Sequence, residues 1–239
     1  MFVRYRTEAI FLKKLKRFEA DEYLIAYSRD FGKLGVTGKS IRKIKSKLRS
    51  SSELFCHSDI EFVRGRYYNI LTDSQLIDSF SKTKSELGKM SIAFKMANLL
   101  DSFLAEEEKD EELWLFIKKS FYFLDSFRNG QVDDLKSFYF YFAFKFLELL
   151  GYRPEMGNCV VDGSKSGETF SPRNGGFICE VCAKNIKDPL KIKITKKDKH
   201  FLKNITNKSF EDFIENNPEF DNLEELLNNY IALLPSRLS

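Results

Sequence analysis

The period of the apolar residues changes once along this chain, near residue 76, and that change limits the fold more than any other feature. Before it, short β-rich runs alternate with glycine-marked turns. Strands are predicted at 7–13, 21–28 (DEYLIAYS), 33–38 (KLGVTG), 53–63 and 67–71, with turns at Arg29-Asp30-Phe31-Gly32 and Arg64-Gly65. Five short strands so punctuated predict a small barrel. After the change, Leu87, Ile92, Phe94, Met96, Leu99, Leu100, Phe103 and Leu104 recur at helical spacing. Helices are predicted at 113–127 and 135–150, with a turn at Asn129-Gly130 between them. Gly151 ends the second helix and Pro154 blocks its continuation. Weaker helices are predicted at 199–205, 209–216 and 223–234, and there is no internal repeat.

The 239 residues are 43% hydrophobic and 31% charged, a globular composition rather than a disordered one. The 24 phenylalanines are read first as packing. A membrane span needs about 20 apolar residues. The most apolar run, 138–150, is shorter and contains Lys145 and Glu148. The start, MFVRYRTEAIF, has no signal-peptide core. The cysteines sit at metal spacing rather than disulfide spacing, so a reducing, cytoplasmic setting is expected.

Three of the four cysteines lie within 159–182. Cys159 and Asp162 form a C-x2-D pair, and Cys179 and Cys182 a C-x2-C pair 20 residues downstream. Two such pairs at this interval have the spacing of a small zinc-binding knuckle, with Asp in place of one Cys. A structural Zn²⁺ held by Cys159, Asp162, Cys179 and Cys182 is the cofactor expectation, since zinc accepts carboxylate oxygen. The alternative is a metal-free knuckle held by Phe170, Phe177 and the Gly175-Gly176 turn. Cys56 falls in a barrel strand and is read as core; His200 is read as a surface residue.

The net charge of +4 conceals strong segregation. Residues 1–50 carry 14 Lys or Arg against 5 acids, and 101–112 carry 7 acids against Lys109 alone. Residues 184–208 carry 9 lysines against Asp188 and Asp198. Between the third and fourth strands, 39–50 reads KSIRKIKSKLRS, six bases and no acid. Lys39, Arg42, Lys43, Lys45, Lys47 and Arg49 suit a polyanion, most simply nucleic acid. The competing reading is a solvated charged face. Tyr5, Phe11, Tyr23 and Tyr27 are candidate base stackers, about half of which strand alternation must send to the core. The acids at 106–112 are read as a solvated turn. There is no phosphate-binding glycine loop, no H-E-x-x-H, and no acid and nucleophile to partner His57, so no catalysis is expected.

Taken in order, these pieces resemble the bacterial recombination mediator RecO family over most of the chain. The likeness rests on TEAI at 7–10, then on Glu19-Ala20-Asp21, Ser28-Arg29-Asp30-Phe31-Gly32-Lys33 and Ser46-Lys47-Leu48. A second stretch, LLGYRPEMGNC at 149–159 followed by FSPRNGGFICEVC, completes it. The family's zinc-binding members have four cysteines, and Asp162 departs from that pattern.

The resemblance implies an α+β fold: an N-terminal OB-fold barrel, then a helical domain with an inserted zinc-knuckle-like module. On this basis the divisions are 1–80 for the barrel, 81–157 for the helical domain, 158–183 for the insertion and 184–239 for the helical continuation. It also implies a non-catalytic DNA-repair role in the RecFOR pathway after DNA damage. The implied partners are single- and double-stranded DNA, RecR, the acidic tail of single-strand-binding protein, and RecA as a functional link. Strand annealing and a nucleoid-associated, cytoplasmic location complete that expectation. For the tail, Lys118, Lys119 and Phe121 offer a cation-rimmed apolar pocket; a core Phe beside solvated lysines is an equal reading. A protein-interaction adaptor without direct DNA binding is the alternative function.

Overall fold

The computed structural model of the chain describes residues 3–127, 132–165, 167–205 and 220–234, the side chains of 132, 133, 203 and 204 excepted. The predicted turn at Asn129-Gly130 and the predicted helix at 209–216 lie outside the described residues. The chain divides into two compact units, 1–129 and 130–239.

The first unit begins with five strands: β1 (Arg4–Arg17), β2 (Asp21–Ser28), β3 (Gly32–Gly38), β4 (His57–Arg64) and β5 (Asn69–Asp78). They close into a barrel in the order β1-β2-β3-β5-β4, with β4 returning to β1. All neighbours run antiparallel except β3 and β5, which meet in parallel at Val36↔Asn69 and Thr37↔Ile70. This is the small barrel expected from the strand pattern, in the OB-like form that the resemblance implied. Ala9, Phe11, Leu24, Ala26, Leu34, Val36, Ile60, Phe62 and Leu71 fill it.

Several boundaries differ from the sequence reading. β1 is longer than 7–13 because both its edges are used: residues 4–10 pair with β4 and 9–17 with β2. A bulge at Leu12 lets the strand bend between them. The fourth strand starts at His57, not at 53. Phe55 stands at φ 61° in a turn, with its ring wholly buried, so the chain before His57 cannot be extended. Cys56 therefore lies outside the strand, though it is core as expected. The fifth strand begins at Asn69 and continues to Asp78, where polar residues paired with β4 hide the strand signal.

Helices α1 (Ser81–Ser85), α2 (Leu87–Phe103) and α3 (Glu111–Ser126) complete this unit. Asp110 caps α3 by accepting the Leu113 N–H at 2.9 Å, and Glu111 and Glu112 lie in its first turn, where acids favour the helix dipole. The acids at 106–112 are thus partly a capping sequence and partly a strap along the barrel. Arg64 pairs with Glu107 at 3.0 Å and Arg29 with Glu111 at 3.2 Å. The buried His57 ring joins barrel to helix, with Nε2 3.1 Å from Glu8 and Nδ1 3.0 Å from the Tyr122 hydroxyl.

The second unit is built on α4 (Val132–Leu149). Phe138, Phe140, Tyr141, Phe142, Phe144, Phe146 and Leu147 are buried there, so the helix is apolar nearly all round. It ends in a Schellman turn: Gly151, at φ 81°, donates to Glu148 and Tyr152 donates to Leu147. A small sheet in the order β7-β6-β8 follows, from β6 (Thr169–Ser171), β7 (Gly176–Ile178) and β8 (Ile192–Lys193). α5 (Glu180–Asn185) lies between β7 and β8, and α6 (Lys196–Ile205) and α7 (Leu223–Leu233) pack on α4. The wholly buried Asp198 carboxylate ties α6 to the start of α7, accepting from Thr195 and from the Asp221 and Asn222 N–H groups.

Two consequences can be measured. Gly32 sits at φ 60°, and a Cβ there would lie 1.9 Å from the Glu108 carbonyl oxygen. Gly32→Ala should cost about 2 kcal/mol or more in denaturant unfolding. Burial holds the His57 pKa below its ordinary value, against the raising influence of Glu8 and with a lesser lowering one from Lys118. The folded state then binds this proton less readily than the unfolded chain. The sign follows: stability is full above about pH 6.5 and falls on acidification below it. His57→Gln should flatten the decline in unfolding midpoint between about pH 7 and 5.5.

Candidate metal centre and nucleic-acid interface

Two short loops bring the four metal candidates together. Residues 158–165 fold back on themselves through the Cys159 N–H to the Ser164 carbonyl (2.8 Å) and the Gly163 N–H to the Cys159 carbonyl (2.9 Å). Gly163, at φ 73°, allows that tight turn. Cys179 caps α5, its sulfur accepting the Cys182 N–H at 3.3 Å. Ile178 and Val160 pack beside the cysteines. The result is a cluster of three sulfurs and one carboxylate oxygen, all within 4.8 Å of one another. Cys159, Asp162, Cys179 and Cys182, paired in sequence by spacing alone, could together hold a metal ion.

The donor geometry is asymmetric. Oδ1 of Asp162 accepts from the Ser164 N–H at 3.0 Å and hydroxyl at 2.7 Å. Oδ2 is left facing Cys179 at 3.4 Å and Cys182 at 3.3 Å. Hydrogen bonds from Ser164 foremost, then from Cys159 and Cys182, hold the Asp162 carboxyl well below the usual carboxylate range. The Cys182 N–H lowers the Cys179 thiol, whereas burial raises that of Cys182. Three thiolates and one carboxylate give the formal charge of a four-cysteine site. Tetrahedral ligands at the usual Zn–S length of about 2.3 Å stand about 3.8 Å apart, so the span of this cluster fits. One carboxylate oxygen oriented by a second residue is how ligands are commonly fixed in metal sites.

The basic segment crosses between β3 and β4. Asp21 accepts the Ser40 N–H at 2.7 Å, and the Arg42 N–H donates to the Ala20 carbonyl. Ile41 enters the barrel core and Leu48 packs against it, so two aliphatic anchors hold the loop. Lys39, Arg42, Lys43, Lys45, Lys47 and Arg49 are all exposed. None of the six forms an ion pair among the described residues. Arg42 instead donates to the Glu19 carbonyl at 2.9 Å. The structure thus supports the segment as a free cationic surface.

The aromatic candidates divide. Phe11 and Tyr27 are core, and Tyr5 packs on Phe62 and Phe31. Tyr23 lines a cleft of about 540 Å³ with Arg17, Arg64, Arg66, Tyr67 and Tyr68. Sequence reasoning missed those five; an aromatic in a turn was the available signal. The tail pocket at Lys118, Lys119 and Phe121 is corrected in one member. Phe121 is wholly buried, stacked with Phe55 and Phe80, and offers no ring to a partner. Lys118 lies 3.5 Å from Glu8 and over the Trp114 ring. Lys119 has interactions of its own.

Comparison with known proteins agrees with this architecture. Residues 1–80 match the family description "Recombination protein O N terminal" and 84–234 match "Recombination protein O C terminal". A DNA repair protein RecO of Dehalococcoides mccartyi is 34% identical over 181 residues, 74% of this chain and 70% of the relative. One from a Thermoanaerobacter species is 32% identical over 201 residues, 83% of this chain and 79% of the relative. No helix among the described residues is long and apolar enough to cross a membrane.

Proposed function

Because this chain belongs to the recombination protein O family, whose work is DNA repair and recombination, we propose that it is a recombination mediator. In this reading it binds single- and double-stranded DNA without sequence preference and anneals complementary strands. With RecR it assists RecA loading on DNA coated by single-strand-binding protein, whose acidic tail it engages. It acts near the nucleoid and catalyses no covalent step. The structure does give His57 an acid and a hydroxyl partner, Glu8 and Tyr122, but its ring is buried away from solvent, which supports that last point.

The observation that carries the reading is the acid-free segment from Lys39 to Arg49, exposed and unpaired among the described residues. Lysines and arginines there neutralise phosphates and release counterions, whatever the base sequence. Neutralised strands repel each other less, which is the physical requirement for annealing. In the second unit, Cys159, Asp162, Cys179 and Cys182 would hold one Zn²⁺. Bound there, the ion would join the two loops and stabilise the module; it supplies no reaction chemistry.

Reversing Lys43, Lys45 and Lys47 to Glu should weaken binding to all oligonucleotides. It should also reduce the slope of log affinity against log salt by about 1 per lost phosphate contact. Unchanged affinity would remove the segment from the binding face. A wild-type protein that bound no DNA would favour the adaptor function. Annealing measured with and without single-strand-binding protein tests the mediator role itself.

For the metal, elemental analysis of protein purified without chelator should give about one zinc per chain. Cys179→Ser should lose it and lower the thermal stability of the second unit. Clearly substoichiometric metal in the wild type would leave the aromatic packing of Phe170 and Phe177, at 5.6 Å, as what holds the module.

A further inference from the structure

The cleft beside the barrel, and the turn that follows its Arg17, carry side chains that neither packing nor the basic segment explains. Phe18, in the turn joining β1 to β2, has φ 56° and is 78% exposed. Glycine adopts that conformation without strain, and a bulky aromatic does not. Phe55 and Phe80 also have positive φ, but their rings are wholly buried and packing accounts for them. Nothing in the core accounts for Phe18. Tyr67, in the turn joining β4 to β5, is 81% exposed.

Arginines connect these rings. The Arg17 guanidinium lies 4.4 Å from the Tyr68 ring centre and 5.7 Å from that of Phe18, and donates to Thr37 at 3.1 Å. Arg66 lies 5.3 Å from the ring centre of Tyr67. Across the cleft, Tyr23 lies so close to β3 that a Cβ on Gly35 would come 1.9 Å from its hydroxyl oxygen. Arg17 and Arg66 have no carboxylate partner among the described residues. Arg64 is bound to Glu107, so it is not counted as free to meet a phosphate. Glu106 and Glu107 line the far side of the cleft and limit how close a backbone comes there.

Flat rings in solvent, held beside guanidinium groups, match the two parts of one ligand. Base faces stack on aromatic rings, and arginines meet the phosphates between them. In a duplex those faces are covered by neighbouring base pairs, so only an unpaired strand presents them. We propose that Phe18, Tyr67 and Tyr68, with Arg17 and Arg66, form a base-stacking shelf for single-stranded DNA. The shelf is distinct from the phosphate-tracking segment at 39–49, and it gives the protein its preference for unpaired over paired strands. This rests on the DNA-binding reading above.

The test uses the full chain and three labelled probes of equal length: oligo-dT, a chain of abasic sites, and a duplex. Wild type should bind oligo-dT more tightly than the abasic chain. Phe18→Ala with Tyr67→Ala should lower oligo-dT affinity by about 10-fold or more. Affinity for the abasic chain and the duplex should be kept, as should the salt slope, because no charge is removed. Phe18→Gly serves as the folding control: it relieves the turn, so it should not lower the unfolding midpoint while still weakening oligo-dT binding. Equal losses on oligo-dT and abasic probes, or none on either, overturn the shelf while leaving DNA binding intact. A wild-type protein that binds none of the probes overturns the DNA-binding reading and the shelf with it.

Discussion

The first unit depends on one strand whose two halves are hydrogen-bonded along opposite edges and which is covered on both faces where the halves meet. Ala9, Ile10, Phe11 and Leu12 are consecutive, and none is more than 2% exposed. An ordinary half-buried strand alternates inward and outward. β1 does not, because Ala9 and Phe11 fill the barrel while α2 packs on the strand from outside. Pairing with β4 through its first half and β2 through its second closes the barrel around this strand. The turn that follows this strand is thereby fixed in place. The turn holding Phe18 follows directly from its last residue, Arg17, which also reaches across to Thr37 on β3.

Charge is distributed so that attraction within the unit leaves one surface uncompensated. The acidic stretch after α2 is matched in part: Glu107 pairs with Arg64 and Glu111 with Arg29, Asp110 caps α3, and the one base, Lys109, pairs with Asp30. Each such exposed pair contributes about 0–1 kcal/mol, so together they do little for stability. Their effect is on what remains. Two of the acids are drawn onto the barrel, and the six bases from Lys39 to Arg49 form no ion pair among the described residues. The modest net charge of the chain therefore understates the field that a polyanion would meet near that loop.

How far the sequence reveals this depends on whether the signal is local. β2 is legible residue for residue, since DEYLIAYS carries the β-formers and its neighbours the turns. The four metal candidates are legible because each pair sits on one short loop, so spacing in the chain is spacing in space. β5 is only half legible: LTDSQLID has a polar surface, and its extension comes from hydrogen bonds to β4 that no local pattern announces. Phe121 shows the limit most clearly. A phenylalanine flanked by lysines on a helix reads the same whether it faces a groove or the core, and Phe55 and Phe80 decide the matter from far away in sequence. Phe18 and Tyr68 were missed for the same reason, because they meet only through Arg17 and barrel closure.

The position of Asp162 gives physical sense to the one carboxylate among the thiols. Cys159 and Cys182 are buried beside Ile178, whereas Asp162 is exposed. A thiolate at that exposed corner would meet water and oxidants directly. A carboxylate there stays hydrated at little cost and does not oxidise. Its shorter, harder donor needs to be aimed, and Ser164 does so by holding Oδ1 through two hydrogen bonds. The same turn that places Gly163 in the left-handed region sets Ser164 two residues beyond the ligand, where both its N–H and its hydroxyl reach the carboxylate. Asp162 is therefore accompanied, within two residues, by the groups that would make it a workable ligand.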